Sequence, residues 1–87
     1  MAHLLIPHNA AGRPVNVSGL PAGPLAAVLA AARQRDPVAL AGVLDASGRP
    51  LPHWHVAVDG GDVPAGVLSA PVGPDSEILL FPALAGG

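Results

Sequence analysis

Along this chain, short apolar blocks with β-type spacing flank one stretch with helical spacing. His3-Leu4-Leu5-Ile6 is an apolar run closed by Pro7, and Val15-Asn16-Val17 alternates with the two-residue period of a strand. Asn9 to Arg13 supply turn residues between them, so the pair predicts a β-hairpin, with Pro14 suited only to the start of its strand. The pattern changes after the Pro/Gly-rich connection Ser18 to Gly23. Leu25, Val28, Leu29 and Ala32 fall at i, i+3, i+4 and i+7, which predicts a helix over Leu25–Arg35 with Pro24 at its first position. Pro37 ends it, because the residue before a proline avoids helical dihedrals. Asp36 then caps a second, short helix whose apolar face is Leu40, Val43 and Leu44. Asp45-Ala46-Ser47-Gly48 breaks that helix.

Strand spacing returns in His53–Val58. Trp54, Val56 and Val58 share one face, while His53, His55 and Ala57 share the other. Asp59-Gly60-Gly61-Asp62 signals a tight turn. Val63 and Val67-Leu68 suit only short edge pieces around Pro64. Ile78 to Phe81 is apolar on both faces, as expected of a strand in the sheet interior, and a first strand lying beside it would pair in parallel. The order β-β-α-(α)-β-(β)-β implies an α+β fold: a small mixed sheet of four to five strands, with the main helix across one face.

Composition narrows the function. The 87 residues allow one small domain, and the absence of cysteine excludes disulfides, thiolate zinc sites and cysteine nucleophiles. Trp54 and Phe81 are the only Trp or Phe and tyrosine is absent, so the core is aliphatic. A net charge of −2 without a basic patch argues against nucleic acid. The longest apolar run, Leu25–Ala32, is far short of the ~20 residues that span a bilayer. No charged start precedes a long apolar core, so the expected location is cytoplasmic, without a membrane partner. All four cations are arginines.

The candidate chemistry sits at Gly86-Gly87. Two glycines thread a slot too narrow for other residues and present a bare carboxylate, although an ordinary frayed end has the same composition. The apolar run leading into them, Ile78-Leu79-Leu80-Phe81-Pro82-Ala83-Leu84-Ala85, favours the first reading. His53 and His55 would supply two metal ligands from one strand face, with His3 and His8 as distant additions, but a zinc site draws three or four. Asp59 and Asp62 fit a turn and lack the spacing of a calcium loop. Asp75 and Glu77 fit a turn and a strand start. Ser18, Ser47, Ser69 and Ser76 lie in loop composition, outside any nucleophile elbow.

Asp75-Ser76-Glu77-Ile78-Leu79-Leu80-Phe81-Pro82-Ala83-Leu84-Ala85-Gly86-Gly87, joined to the turn Val58-Asp59-Gly60-Gly61-Asp62-Val63, resembles the ubiquitin-like sulfur carriers of the MoaD/ThiS family. With Leu44–Leu51, the middle of the chain looks like the branch that serves cysteine biosynthesis, and the similarity runs from Val15 to Gly87. His53, His55 and Ala57 depart from the aromatic, Asn or Tyr residues frequent at such positions. The connection after the first strand is shorter than in many molybdopterin synthase small subunits.

The resemblance implies a β-grasp fold over residues 1–87, with 83–87 as a flexible tail. It implies a carrier and not an enzyme. An E1-like adenylating enzyme would use ATP to activate Gly87, a sulfur donor would leave a thiocarboxylate there, and a sulfur-acceptor biosynthetic enzyme would consume it. No stably bound cofactor is implied. Gly86 and Ala85 would thread the partner's channel, and Leu84, Phe81, His53, His55 and Ala57 would dock the partner. A protein modifier joined through Gly87, a molybdopterin synthase small subunit, and a plain interaction module with an accidental end remain as alternatives.

Overall fold

The structure is a computed structural model that describes residues 1–7, 14–64 and 67–82. In chain order the elements are β1 (Ala2–Ile6), β2 (Val15–Leu20), β3 (Gly23–Pro24), α1 (Leu25–Arg35), α2 (Pro37–Ala41), β4 (Trp54–Val58), β5 (Gly61–Val63), β6 (Pro71–Val72) and β7 (Glu77–Pro82). Five strands form one mixed sheet in the order β2-β1-β7-β4-β5, and β3 pairs with β6 beside it. β7 is central: it runs parallel to β1 and antiparallel to β4. That position accounts for its apolar residues on both faces.

The helical stripe forms as its spacing predicts. Leu25, Val28, Leu29 and Ala32 are all fully buried, packed on the face of the sheet that carries Leu4, Val56, Ile78 and Leu80. Pro24 lies one place earlier than expected, as the extended N-cap residue, and contributes no side-chain cap. The orphan amides of the first turn find partners elsewhere: Leu25 N–H donates to the Ala70 carbonyl and Ala26 N–H to that of Leu68, both at 2.9 Å. Asp36 does cap α2, its carboxylate accepting from Ala39 N–H at 3.1 Å.

Several local expectations change. The expected connection Ser18 to Gly23 is largely strand, since β2 runs on to Leu20 and Gly23 opens β3. Val43 and Leu44 are buried as foreseen but lie beyond α2, which stops before Gly42. Val67-Leu68 is a turn that caps α1 and not a strand; the short strand is Pro71–Val72, paired with β3. His53 lies in the turn before β4, which starts at Trp54. Val58 is only half-buried, near the sheet's β5 edge. The β4–β5 connection is the tight turn expected: Asp59 (φ 52°) and Gly60 (φ 82°) both occupy the left-handed region, as a two-residue hairpin loop requires.

Among the described residues, one buried side-chain group lacks a hydrogen-bond partner. Trp54 is 8 % exposed, and its indole N–H, itself buried, makes no hydrogen bond. Such a group costs about 1–3 kcal/mol.

Candidate functional site

The region that leads to the C-terminal residues is built on β7, and its lower end is tied down by a polar knot. Asp59 accepts from Ser76 Oγ–H at 2.7 Å and from Glu77 N–H at 2.9 Å, while its own N–H donates to the Glu77 carbonyl at 2.8 Å. Ser76 Oγ in turn accepts from Gly73 N–H at 2.9 Å. The Glu77 amide, then the Ser76 hydroxyl, hold the Asp59 carboxyl below its ordinary pKa, with a small contribution from His3. Asp59 is therefore more than a turn former, and Ser76, buried at 7 % exposure, is more than a loop residue. Only folding brings them together, 17 positions apart in sequence. Glu77 begins β7 as expected, with His3 Nε2 3.2 Å from its carboxylate, and Asp75 meets the N-terminal ammonium at 3.1 Å.

From Glu77 to Leu79 β7 pairs with β1, and along Ile78–Pro82 it pairs with β4, where its last partner is Trp54, opposite Pro82. The sheet face away from α1 carries the sequence-predicted docking residues. His55 lies opposite Phe81, their rings stacked at 5.4 Å and 19°, and Ala57 lies opposite Leu79. His55 is exposed and Phe81 half-buried, so the pair can offer apolar and polar contact at one place. Ala57 is 6 % exposed: it shares this face, as the alternation foresaw, but lies beneath its neighbours and supplies floor in place of projection. His53 is exposed in the preceding turn, with its ring 6.1 Å from that of Trp54.

Two members of the face were not singled out from the sequence. Leu5 and Leu79 are half-buried neighbours across β1 and β7 and extend the Phe81–Ala57 surface. Their signal was present: each is the odd-face residue of an otherwise core-facing apolar run. Leu84, Ala85, Gly86 and Gly87 lie outside the described residues, as does His8. Among the described residues, no three His, Asp or Glu side chains gather as a metal site would need. No helix among them is long and apolar enough to cross a membrane.

No protein-family model matches this chain, and no curated protein matches it in sequence. Solved structures do match in shape. One chain of the Amycolatopsis orientalis BexX/CysO complex superposes with a TM-score of 0.75 at 21% identity, covering all of both chains. CysO of Mycobacterium tuberculosis, described as an antigen, gives 0.73 at 20% identity over 97% of this chain and 100% of that one. SAMP1 of Haloferax volcanii gives 0.71 at 22% identity over 99% and 98%. The fold is the β-grasp. The likeness spans almost the whole chain at 20–22% identity, so it is the backbone arrangement that is shared, with β7 at its centre.

Proposed function

We propose that this chain is a ubiquitin-like sulfur carrier whose reactive group is the carboxylate of Gly87. The observation that carries the proposal is the placing of β7. It is central, hydrogen-bonded on both sides and knotted at Glu77, and the sequence Ala83-Leu84-Ala85-Gly86-Gly87 follows directly from it. A segment that must deliver one carboxylate into another protein's active site needs such a fixed base, because small misplacements of reacting atoms are costly.

In the proposed chemistry, an E1-like enzyme binds ATP, and a Gly87 carboxylate oxygen attacks the α-phosphorus with loss of pyrophosphate. A sulfur donor then attacks the acyl carbon, a C–S bond replaces the C–O bond to AMP, and a thiocarboxylate remains. ATP and all catalytic groups belong to the partner. A structural neighbour belongs to a complex, that of CysO with BexX, and this supports a role exercised through a partner protein. Cysteine or another sulfur-containing metabolite or cofactor would be the product.

The test is mass spectrometry after incubation with a cognate activating enzyme, ATP and sulfide. The expected result is one oxygen replaced by sulfur on Gly87, with strong slowing in Gly87→Ala and loss of reaction on extension by one residue. Full activity of a chain lacking Gly86 and Gly87 would remove this reading. A second reading, conjugation to target lysines through Gly87, is favoured by another neighbour, described as small archaeal modifier protein 1. An isopeptide-linked Gly-Gly remnant on other proteins would select it.

A further inference from the structure

The sheet has two edges, β5 and β2, and they differ in what they offer another strand. β5 is three residues long, carries Asp62 and is followed by Pro64, features that discourage a strand from adding to it. β2 spans six residues, Val15-Asn16-Val17-Ser18-Gly19-Leu20, with no charge and no proline within it. Among the described residues, no strand lies beyond it.

The direction of the main-chain groups on this edge follows from β1. His3 N–H donates to the Ser76 carbonyl at 3.1 Å, on the β7 side. Main-chain groups alternate along a strand, so those of Leu4 and Ile6 turn toward β2, where they meet Val17 and Val15. The N–H and C=O of Asn16 and Ser18 therefore point outward, away from β1. Their side chains are exposed, whereas Val15 and Val17 are buried. The outward row stops after Ser18. There the register slips, Gly19 takes a left-handed φ of 73°, and Arg35 donates to its carbonyl at 3.0 Å.

One donor and one acceptor at each of Asn16 and Ser18 make the edge complementary to itself. We propose that β2 pairs antiparallel with β2 of a second copy of this chain, about a two-fold axis at Val17. Asn16 of each copy then lies opposite Ser18 of the other, and each such pair exchanges both of its main-chain hydrogen bonds. The strand carries no charged side chain, so an identical partner brings no like charges face to face. The join lies on the far side of β1 from β7, so the His55–Phe81 face and the end of β7 stay open in both copies. The contact is a short edge and the dimer accordingly weak, with a Kd on the order of 0.1–1 mM. The interface is independent of Gly87 and of the carrier chemistry.

The chain has no cysteine, so single cysteines report the register without background. Asn16→Cys and Ser18→Cys are oxidised mildly at roughly 0.5 mM, each alone and mixed in equal amounts. The mixture should form disulfide dimers about tenfold faster than either variant alone, because only positions 16 and 18 face each other within disulfide reach. In sedimentation velocity the native chain should pass from monomer toward dimer between roughly 20 μM and 2 mM. Asn16→Pro, which removes one outward N–H, should stay monomeric over that range. Asn16→Lys combined with Ser18→Lys should do the same; both side chains are exposed, so this variant keeps the core and covers the case in which the proline unsettles β2. The proposal is overturned by a native chain still monomeric at about 2 mM, which would leave the edge to a strand of another protein. It is equally overturned by equal cross-linking in mixed and single samples, or by a lysine variant that dimerises as the native chain does.

Discussion

Leu29 and Asp59 show how single residues act here in opposite ways. Leu29 is fully buried at the centre of the α1 stripe and contributes by removing apolar surface from water. Leu29→Ala leaves a cavity that the aliphatic neighbours fill only partly, so the expected cost is ~2–5 kcal/mol, a large share of a small domain's stability. Urea unfolding should show a lower midpoint with an unchanged slope; a midpoint equal to the native one would mean that α1 does not pack as described. Asp59 works through charge. Its folded pKa lies below the ordinary value of 3.8, so its contribution is present above that value and is lost as pH falls through the folded pKa. The native chain should therefore lose stability on the acid side of about pH 4, and Asp59→Asn should flatten that loss. Chemical denaturation at neutral and acid pH checks this. Equal losses in both proteins would show that another carboxylate is the linked group.

Among the elements, β7 gathers most of the organisation, since β1, β4 and the Asp59 turn all fasten to it. Its two faces have different tasks. Ile78 and Leu80 are fully buried against the helix side, whereas Leu79 and Phe81 remain half-buried on the other. In the carrier reading this second face, with His55 and Leu5, is where a partner docks. Truncating a half-buried apolar anchor costs an interface more than truncating a peripheral charge. Phe81→Ala should thus weaken adenylation several-fold while the domain stays folded, and a control such as Arg35→Ala should have little effect. Calorimetry with the activating enzyme separates them, and equal affinities for both variants would move the docking face elsewhere.

At the scale of the whole molecule, the buried core among the described residues runs to Leu80, and in the carrier reading the residues after Pro82 serve the partner and not the fold. Removal of Ala83–Gly87 should leave thermal stability almost unchanged. The midpoint should shift by less than the ~4 °C that 1 kcal/mol produces in a domain of this size. The same truncation should abolish activation by the partner enzyme. A large drop in the midpoint would instead assign those residues to the fold.

The sequence by itself determined the elements whose signals are local. The Leu25–Ala32 stripe, the Asp36 cap, the Asp59-Gly60 turn and the two-faced apolar run of β7 each depend on spacing or dihedral preference within a few residues. From these, together with the resemblance, the β-grasp and the central, parallel placing of β7 were legible. Tertiary structure alone decided what depends on residues far apart. Leu68 and Ala70 carbonyls cap α1 in place of a side chain, which turned an expected edge strand into a turn. Ser76 became a buried anchor because folding carried Asp59 to it. Ala57 was sealed by neighbours that its own alternation does not name. Packing also left the Trp54 N–H without an acceptor among the described residues, since burial and pairing are settled only when distant side chains meet.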